Sequence, residues 1–329
     1  MLDMTRTHVA HDLTHDSPLL SCRFDPSGRF VFVGAQDYSV WRFEISSGEK
    51  TELPAGSWVR AIAFSGDGQT MVTAGYDGRL MWWPVDAAKP TPLRTLDAHV
   101  SWIRAIAVSP NGSLLASVGN DKVVRLWNMA DGSPVREMSG HESYVYNVAF
   151  HPDGKQLATG DLMCNLIHWD VDSGKQLRTW QAKSLQKFDK TFVATIGGFR
   201  GMTFTPDGSQ ILCSGITNVT NAFAGVGNPS VVAFDWKSGE QKIEHLSKGK
   251  IQGVAWGVAA HANRTRIAAT GGSGGYLLFW KADAENEFHQ MKLKDVARDL
   301  DLCSDGLHLA TAHYNGHITV SKMDVKAKK

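Results

Sequence analysis

His99, Ser117, Asp121 and Trp127 bring an imidazole, a hydroxyl, a carboxylate and an indole N–H together in one short stretch. In composition this matches the Ser–His–Asp set that activates a serine for acyl transfer. The same residue types return at matching intervals: His15 and His141 in place of His99, Thr73, Thr159 and Thr311 in place of Ser117, Asp37 and Asp77 in place of Asp121, and Trp83 and Trp169 in place of Trp127. A catalyst needs one nucleophile, whereas a scaffold repeats its parts. A buried histidine must have its ring nitrogens satisfied, and a turn carboxylate, a strand hydroxyl and an indole N–H can do this. We therefore read His99, Ser117, Asp121 and Trp127 as a structural polar chain and assign no catalytic residue. In the fourth unit the chain is incomplete, with Met163 where the Asp should stand.

A second set lies four residues before the apolar residue that opens each of a series of tight turns: Leu20, Arg60, Arg104, Tyr146, Arg200, Gln252 and Arg298. Two residues earlier stand Trp58, Trp102 and Tyr144, while Tyr76, Asn120 and Tyr314 precede a turn Asp or Asn. Two guanidinium groups about 10 Å apart at an effective dielectric near 20 repel by about 1.5 kcal/mol before salt screening. Something must offset this. Asp16, Asp161, Asp299 or Asp301 could pair with the arginines, or water and salt could solvate them. Alternatively a ligand could hold them: a carboxylate-bearing peptide, an acidic loop of a partner, or a phosphate gripped by guanidinium forks.

Other constellations carry less. His8, His11 and His15 have a spacing that suggests a metal site, but on a strand His8 and His11 point to opposite faces. Gly271-Gly272-Ser273-Gly274-Gly275 lacks the Lys and the following helix of a phosphate-binding loop and is expected to be a hairpin. Cys22, Cys164, Cys213 and Cys303 show no paired spacing and read as buried thiols. No metal and no cofactor is assigned.

These side chains are positioned by a repeat. Phe24-Asp25-Pro26-Ser27-Gly28 returns as Phe64-Ser65-Gly66-Asp67-Gly68, Val108-Ser109-Pro110-Asn111-Gly112, Phe150-His151-Pro152-Asp153-Gly154 and Phe204-Thr205-Pro206-Asp207-Gly208. Repetition at about 40 to 45 residues marks an array of like units. Each unit holds four short runs of β-branched and aromatic residues separated by turn residues, the pattern of a four-stranded antiparallel meander. Aligned on the residue before the turn, Phe24, Phe64, Val108, Phe150, Phe204, Trp256 and Leu302 define seven units.

With these residues in register, the chain resembles the WD-repeat family of seven-bladed β-propellers. The resemblance implies an all-β propeller of four-stranded antiparallel blades, in which the connections between second and third strands and between blades share the face called top. A single propeller is expected over residues 17–325, with blades near 17–54, 55–97, 98–139, 140–182, 195–246, 247–292 and 293–325. Residues 1–16 are expected to supply the missing strand of the last blade, and 326–329 a basic tail. Residues 216–230 and 182–194 should rise as loops on the top face. An insert at 257–266, with Thr270 in the position of Ser117, should emerge below.

A net charge of +1 gives no global attraction to nucleic acid or to an anionic membrane. No apolar stretch reaches membrane-spanning length, and the first residues lack the pattern of a secretory signal, so a cytoplasmic location is expected. The sequence favours a non-catalytic scaffold that binds an acidic protein or peptide on its top face through Arg60, Arg104, Arg200, Arg298, Trp58, Trp102, Tyr144, Tyr146, Tyr76 and Tyr314. A propeller hydrolase or lyase with a site at the channel mouth is the alternative, and nucleic-acid binding through the arginine rim the third.

Overall fold

The computed structural model describes residues 2–190, 193–221 and 226–325. Among these residues seven four-stranded antiparallel sheets form, together with one two-stranded sheet. The seven innermost strands, Leu19–Phe24, Val59–Phe64, Ile103–Val108, Val145–Phe150, Gly201–Phe204, Gly253–Ala260 and Ala297–Leu302, contact one another in sequence, and the last returns to the first. The result is a closed seven-bladed propeller around a central channel.

Blade three shows how sequence builds a blade. Ile103–Val108, Leu114–Gly119, Val123–Asn128 and Pro134–Ser139 pair in chain order. The first turn closes where Gly112 N donates to Ser109 O and Ser113 N donates to Asn111 Oδ1. Gly112 sits at φ 74, and Gly28, Gly68, Gly154, Gly208 and Gly306 repeat this left-handed geometry, which is why a glycine ends each turn phrase. Leu115, Ala116, Ser117 and Val118 are all buried because both sheet faces are covered. Ala116, Val124 and Leu126 of blade three share a core with Val148, Leu157, Ile167 and Trp169 of blade four. Full burial of one Leu or Ile contributes roughly 1.5–3 kcal/mol, so the inter-blade faces hold the ring together.

Closure uses the first strand. Leu2–Thr14 pairs antiparallel with His317–Val325, from Leu2 opposite Val325 to Thr14 opposite His317. This completes blade seven and covers the edge that His317–Val325 would otherwise present.

Three expectations change. The hairpin at residues 216–230 is largely strand: Gln210–Asn221 and Val226–Asp235 lengthen the second and third strands of blade five. The described residues of 182–194 include a 3-10 turn, Lys183–Leu185, and the strand Gln186–Asp189, which pairs with Ala194–Gly197. Phe192, residues 222–225 and the tail 326–329 lie outside the described residues. In blade six no insert emerges below. His261 N donates to Thr265 O and Arg264 N to His261 O, so residues 261–264 are the first turn, with Arg264 at φ 71 taking the glycine's place. The residue before that turn is Ala260 rather than Trp256, and the extra length lies at the opposite end of the hairpin. Val258 pairs with Ala268, which puts Ala268, not Thr270, in the position of Ser117.

Candidate functional site at the channel mouth

Six of the seven innermost strands carry a break in register near their start. Pairing jumps from Leu19 to Ser21, Val59 to Ala61, Ile103 to Ala105, Val145 to Asn147, Ala255 to Gly257 and Ala297 to Asp299. The skipped residue bulges and its side chain is re-aimed. In blade five the strand starts just after Arg200, whose N–H donates to Ser214 O. Leu20, Arg60, Arg104, Tyr146, Arg200, Trp256 and Arg298 thus converge, one per blade, on a cavity of about 400 Å³ at the channel mouth. Trp256 replaces Gln252 in this ring, as the corrected register of blade six requires. It was hidden in the sequence because its turn has no glycine; Asn263 followed by a strained Arg264 was the available signal.

The turns between second and third strands frame the same mouth. Tyr76 N donates to Trp58 O at 3.0 Å, Asn120 N to Trp102 O at 2.9 Å and Tyr314 N to Val296 O at 3.3 Å. Tyr38, Trp58, Tyr76 and Trp102 then form an aromatic arc. Tyr38 stacks on Trp58 with centroids 6.3 Å apart, Trp58 meets Tyr76 edge-on at 5.5 Å, and Tyr76 stacks on Trp102 at 4.2 Å. Sequence reasoning missed Tyr38, which sits at φ 70 in its turn and is 56% exposed. Tyr314 lines the mouth, whereas Tyr144 is exposed and does not line the cavity.

The four arginines have no carboxylate within ion-pair distance among the described residues. The candidate acids are engaged elsewhere. Asp299 binds Arg23 Nη1 at 2.7 Å and accepts Cys22 N at 3.0 Å, and Asp301 accepts Phe24 N at 2.8 Å. Asp161 accepts from His141 and Asn165, and Asp16 is exposed without contacting the mouth. Internal pairing therefore does not neutralise the rim.

Rings and neutral oxygens surround the charges instead. Arg104 donates to Asn120 Oδ1 at 2.8 Å and lies 4.7 Å from the ring centres of both Trp102 and Tyr146. Arg60 donates to Leu20 O, and Arg200 to Phe199 O and Gly197 O at 3.3 and 3.2 Å. Arg298 lies 4.9 Å from the Trp256 ring centre and 5.1 Å from that of Tyr314. Burial, then the neighbouring guanidiniums, lowers the pKa of Arg200 and of Arg298 from the ordinary arginine value. Below the mouth, Asp301 is pushed up to about 6 by burial, against the pull of Arg23.

The hydrolase-like set lies inside its blade. His99 Nε2 and Ser117 Oγ are 2.7 Å apart, Asp121 faces His99 Nδ1 at 2.9 Å, and Trp127 Nε1 donates to Ser117 Oγ at 2.8 Å. Ser117 is wholly buried, so no substrate carbonyl reaches its hydroxyl. Burial opposes ionisation of Asp121, but bonds from His99 and Arg125 outweigh it and hold the carboxyl at about 2. Blade four is complete after all. Asp161, two residues before Met163, meets His141 Nδ1 at 3.1 Å, while His141 Nε2 and Trp169 Nε1 converge on Thr159 Oγ1 at 2.6 and 2.8 Å. In blade seven the histidine is His313, bonded to Thr311 at 2.8 Å.

The remaining motifs do not converge on the mouth. Among the described residues no three His, Cys, Asp or Glu side chains gather as metal ligands would, and His15 turns to Asp37 at 2.7 Å. All four cysteines are buried and unpaired. Gly271 and Gly272 end a strand of blade six. No helix among the described residues is long and apolar enough to cross a membrane.

Comparison with known proteins agrees with this architecture. Residues 5–42, 49–84, 90–128 and 132–170 match the WD40 family, described as WD domain, G-beta repeat. Over 81 residues the chain is 36% identical to the Periodic tryptophan protein 2 homolog of Schizosaccharomyces pombe; the match covers 24% of this chain and 10% of that protein. Four matched repeats, seven blades of one plan and the His–Asp–Ser/Thr–Trp chains inside blades three and four place this protein in the WD-repeat family.

Proposed function

We propose that this propeller is a non-catalytic scaffold that holds an acidic segment of a partner protein on its top face. WD40 propellers are typically protein-interaction scaffolds; the acidic partner and the face are our reading. One observation carries it: Arg60, Arg104, Arg200 and Arg298 converge on one cavity in which Asp299, the carboxylate that also lines it, is paired with Arg23 and with none of the four. Leaving four cations together in a cleft is costly unless an anion joins them. Trp58, Tyr76, Trp102, Tyr146 and Tyr314 offer the aromatic contact area that dominates interface energetics, and Tyr144 stands at the outer rim.

Affinity purification from native cells with wild type and with an Arg60→Ala/Arg104→Ala/Arg298→Ala variant tests this. A partner should be captured by wild type and then titrated by calorimetry against both forms. We expect at least about a hundred-fold weaker binding, since each charged hydrogen-bonding group removed costs on the order of 1.5–3 kcal/mol, with the thermal melt retained. Equal affinity would reject the face.

A further inference from the structure

Resting on that reading, we infer that the group seated in the channel mouth is a phosphoryl group on a side chain of the partner segment rather than a carboxylate.

Charge is the first reason. The mouth gathers four guanidiniums, and a carboxylate returns a single negative charge to them. A phosphomonoester carries about −1.5 to −2 at neutral pH and presents three strong acceptor oxygens.

Geometry is the second. Arg60, Arg200 and Arg298 all face one indole, with guanidinium carbons 6.0, 5.4 and 4.9 Å from the Trp256 ring centre. Three planar forks around one ring suit a tetrahedral, three-oxygen anion better than a flat two-oxygen one.

Unused donors are the third. The Arg298 guanidinium makes no hydrogen bond among the described residues, and Arg200 Nε is buried without a partner. The bonds that Arg60 and Arg200 do make end on backbone carbonyls, with no charge opposite them.

The shape of the site selects the carrier. The cavity is ringed by one side chain from each blade. A group on a stalk enters such a mouth, whereas a nucleic-acid backbone needs a groove to run along. Beside the mouth, Tyr38 and Trp102 are 56% and 41% exposed and offer apolar surface to the residues flanking a phosphorylated side chain.

The test uses the full chain and follows tryptophan fluorescence and calorimetry. Inorganic phosphate and sulfate should quench more than acetate at equal ionic strength. From a degenerate peptide library, phosphoserine, phosphothreonine or phosphotyrosine peptides should bind about ten-fold or more tightly than the same peptides carrying Glu. Arg298→Lys keeps the charge but loses the fork, and should cost about ten-fold with an unchanged melt. Arg136→Ala, far from the mouth, should cost nothing in binding.

Equal binding of Glu peptides and phosphopeptides would overturn the phosphoryl inference and leave the acidic-partner reading standing. No response to any anion, with partner capture unaffected by the triple arginine change, would overturn both. Arginine-dependent binding of inositol hexakisphosphate or single-stranded RNA that exceeds that of every phosphopeptide would overturn the peptide carrier.

Discussion

His168 is held neutral by its surroundings. It is 7% exposed, its ring lies 4.2 Å from that of Trp236, and neither ring nitrogen has a hydrogen-bond partner. Burial, followed by repulsion from Arg178 and His151, pushes its pKa down to about 4, and burial likewise takes His245 to about 4. A base whose pKa is lower folded than unfolded binds more protons in the unfolded chain between those values. Its stability contribution is complete above about 6.5 and is lost as the pH falls toward 4. Burial also lowers His289 and His313, so Asp301, raised to about 6 and acting in the opposite direction, is one group against four. The melting temperature should therefore fall between pH 7.5 and pH 5. His168→Phe should leave it unchanged or higher at pH 7.5 and reduce the fall, since the two pH scans then differ by up to about 2 kcal/mol. Parallel pH profiles for the two proteins would refute the assignment. Nothing in the sequence distinguished His168 from any other residue of its strand, because its environment comes from Trp236 of the next blade. The polar chains were legible where one unit supplied every member at regular spacing, as with His99, Ser117, Asp121 and Trp127. Asp161 and His313 were not, since each reaches the same hydrogen-bond endpoint from a shifted position.

Between elements, a second family of arginines staples neighbouring blades. Arg42 donates to Val85 O and Ala87 O, Arg94 to Ala130 O, Arg136 to Asp172 O and Ser173 O, and Arg178 to Trp236 O and Lys237 O. Arg94, Arg136 and Arg178 cross from an outer strand, and Arg42 from a third strand, to the turn after the third strand of the next blade. Three of these turns hold a glycine at positive φ, Gly132, Gly174 and Gly239, where a Cβ would lie 3.2, 2.5 and 3.0 Å from the incoming arginine. Arg136→Ala should cost about 1–2 kcal/mol, two hydrogen bonds at 0.5–1.5 kcal/mol each in a partly exposed site. Gly174→Ala should cost more, since it adds backbone strain to the clash. In the double variant the clash is gone, so the two losses should sum to more than the measured total in denaturant melts. Strict additivity would show that the arginine and the turn do not touch. The spacing of Arg94, Arg136 and Arg178 matched the repeat, yet outer strands alternate weakly and gave no signal of what their side chains reach. The inner strands gave the opposite result. Their arginines were legible by position, while blade six slipped in register because a turn without glycine left Trp256 looking like a turn anchor.

At the level of the whole molecule, seven blades were legible because the same burial problem is solved seven times, and any one turn phrase calibrates the others. Closure is different, since it depends on two segments at opposite ends of the chain. Leu2–Thr14 joins His317–Val325 along most of its length, with breaks after Asp3 and Val9. Met4 is buried with Met323, Leu277 and Phe279, which ties the seam to blade six as well. Asp12 accepts from His317 Nδ1 at 2.8 Å and pairs with Lys294. Deleting residues 1–14 would remove this strand, expose the backbone of His317–Val325 as a free edge and uncover the core beneath Met4. The expected outcome is a melting temperature lower by about 10 °C or more, since a loss of several kcal/mol shifts a domain of this size by about 2–4 °C per kcal/mol. Asp12→Asn should give a small fraction of that shift, because it removes charge but keeps the strand pairing. A synthetic peptide of residues 1–14 added in trans should restore the melt in a concentration-dependent way, as mass action requires of a segment that binds the folded form alone. If the truncated protein melted with wild type, face-to-face blade packing would suffice to close the ring, and the first strand would be a passenger on blade seven.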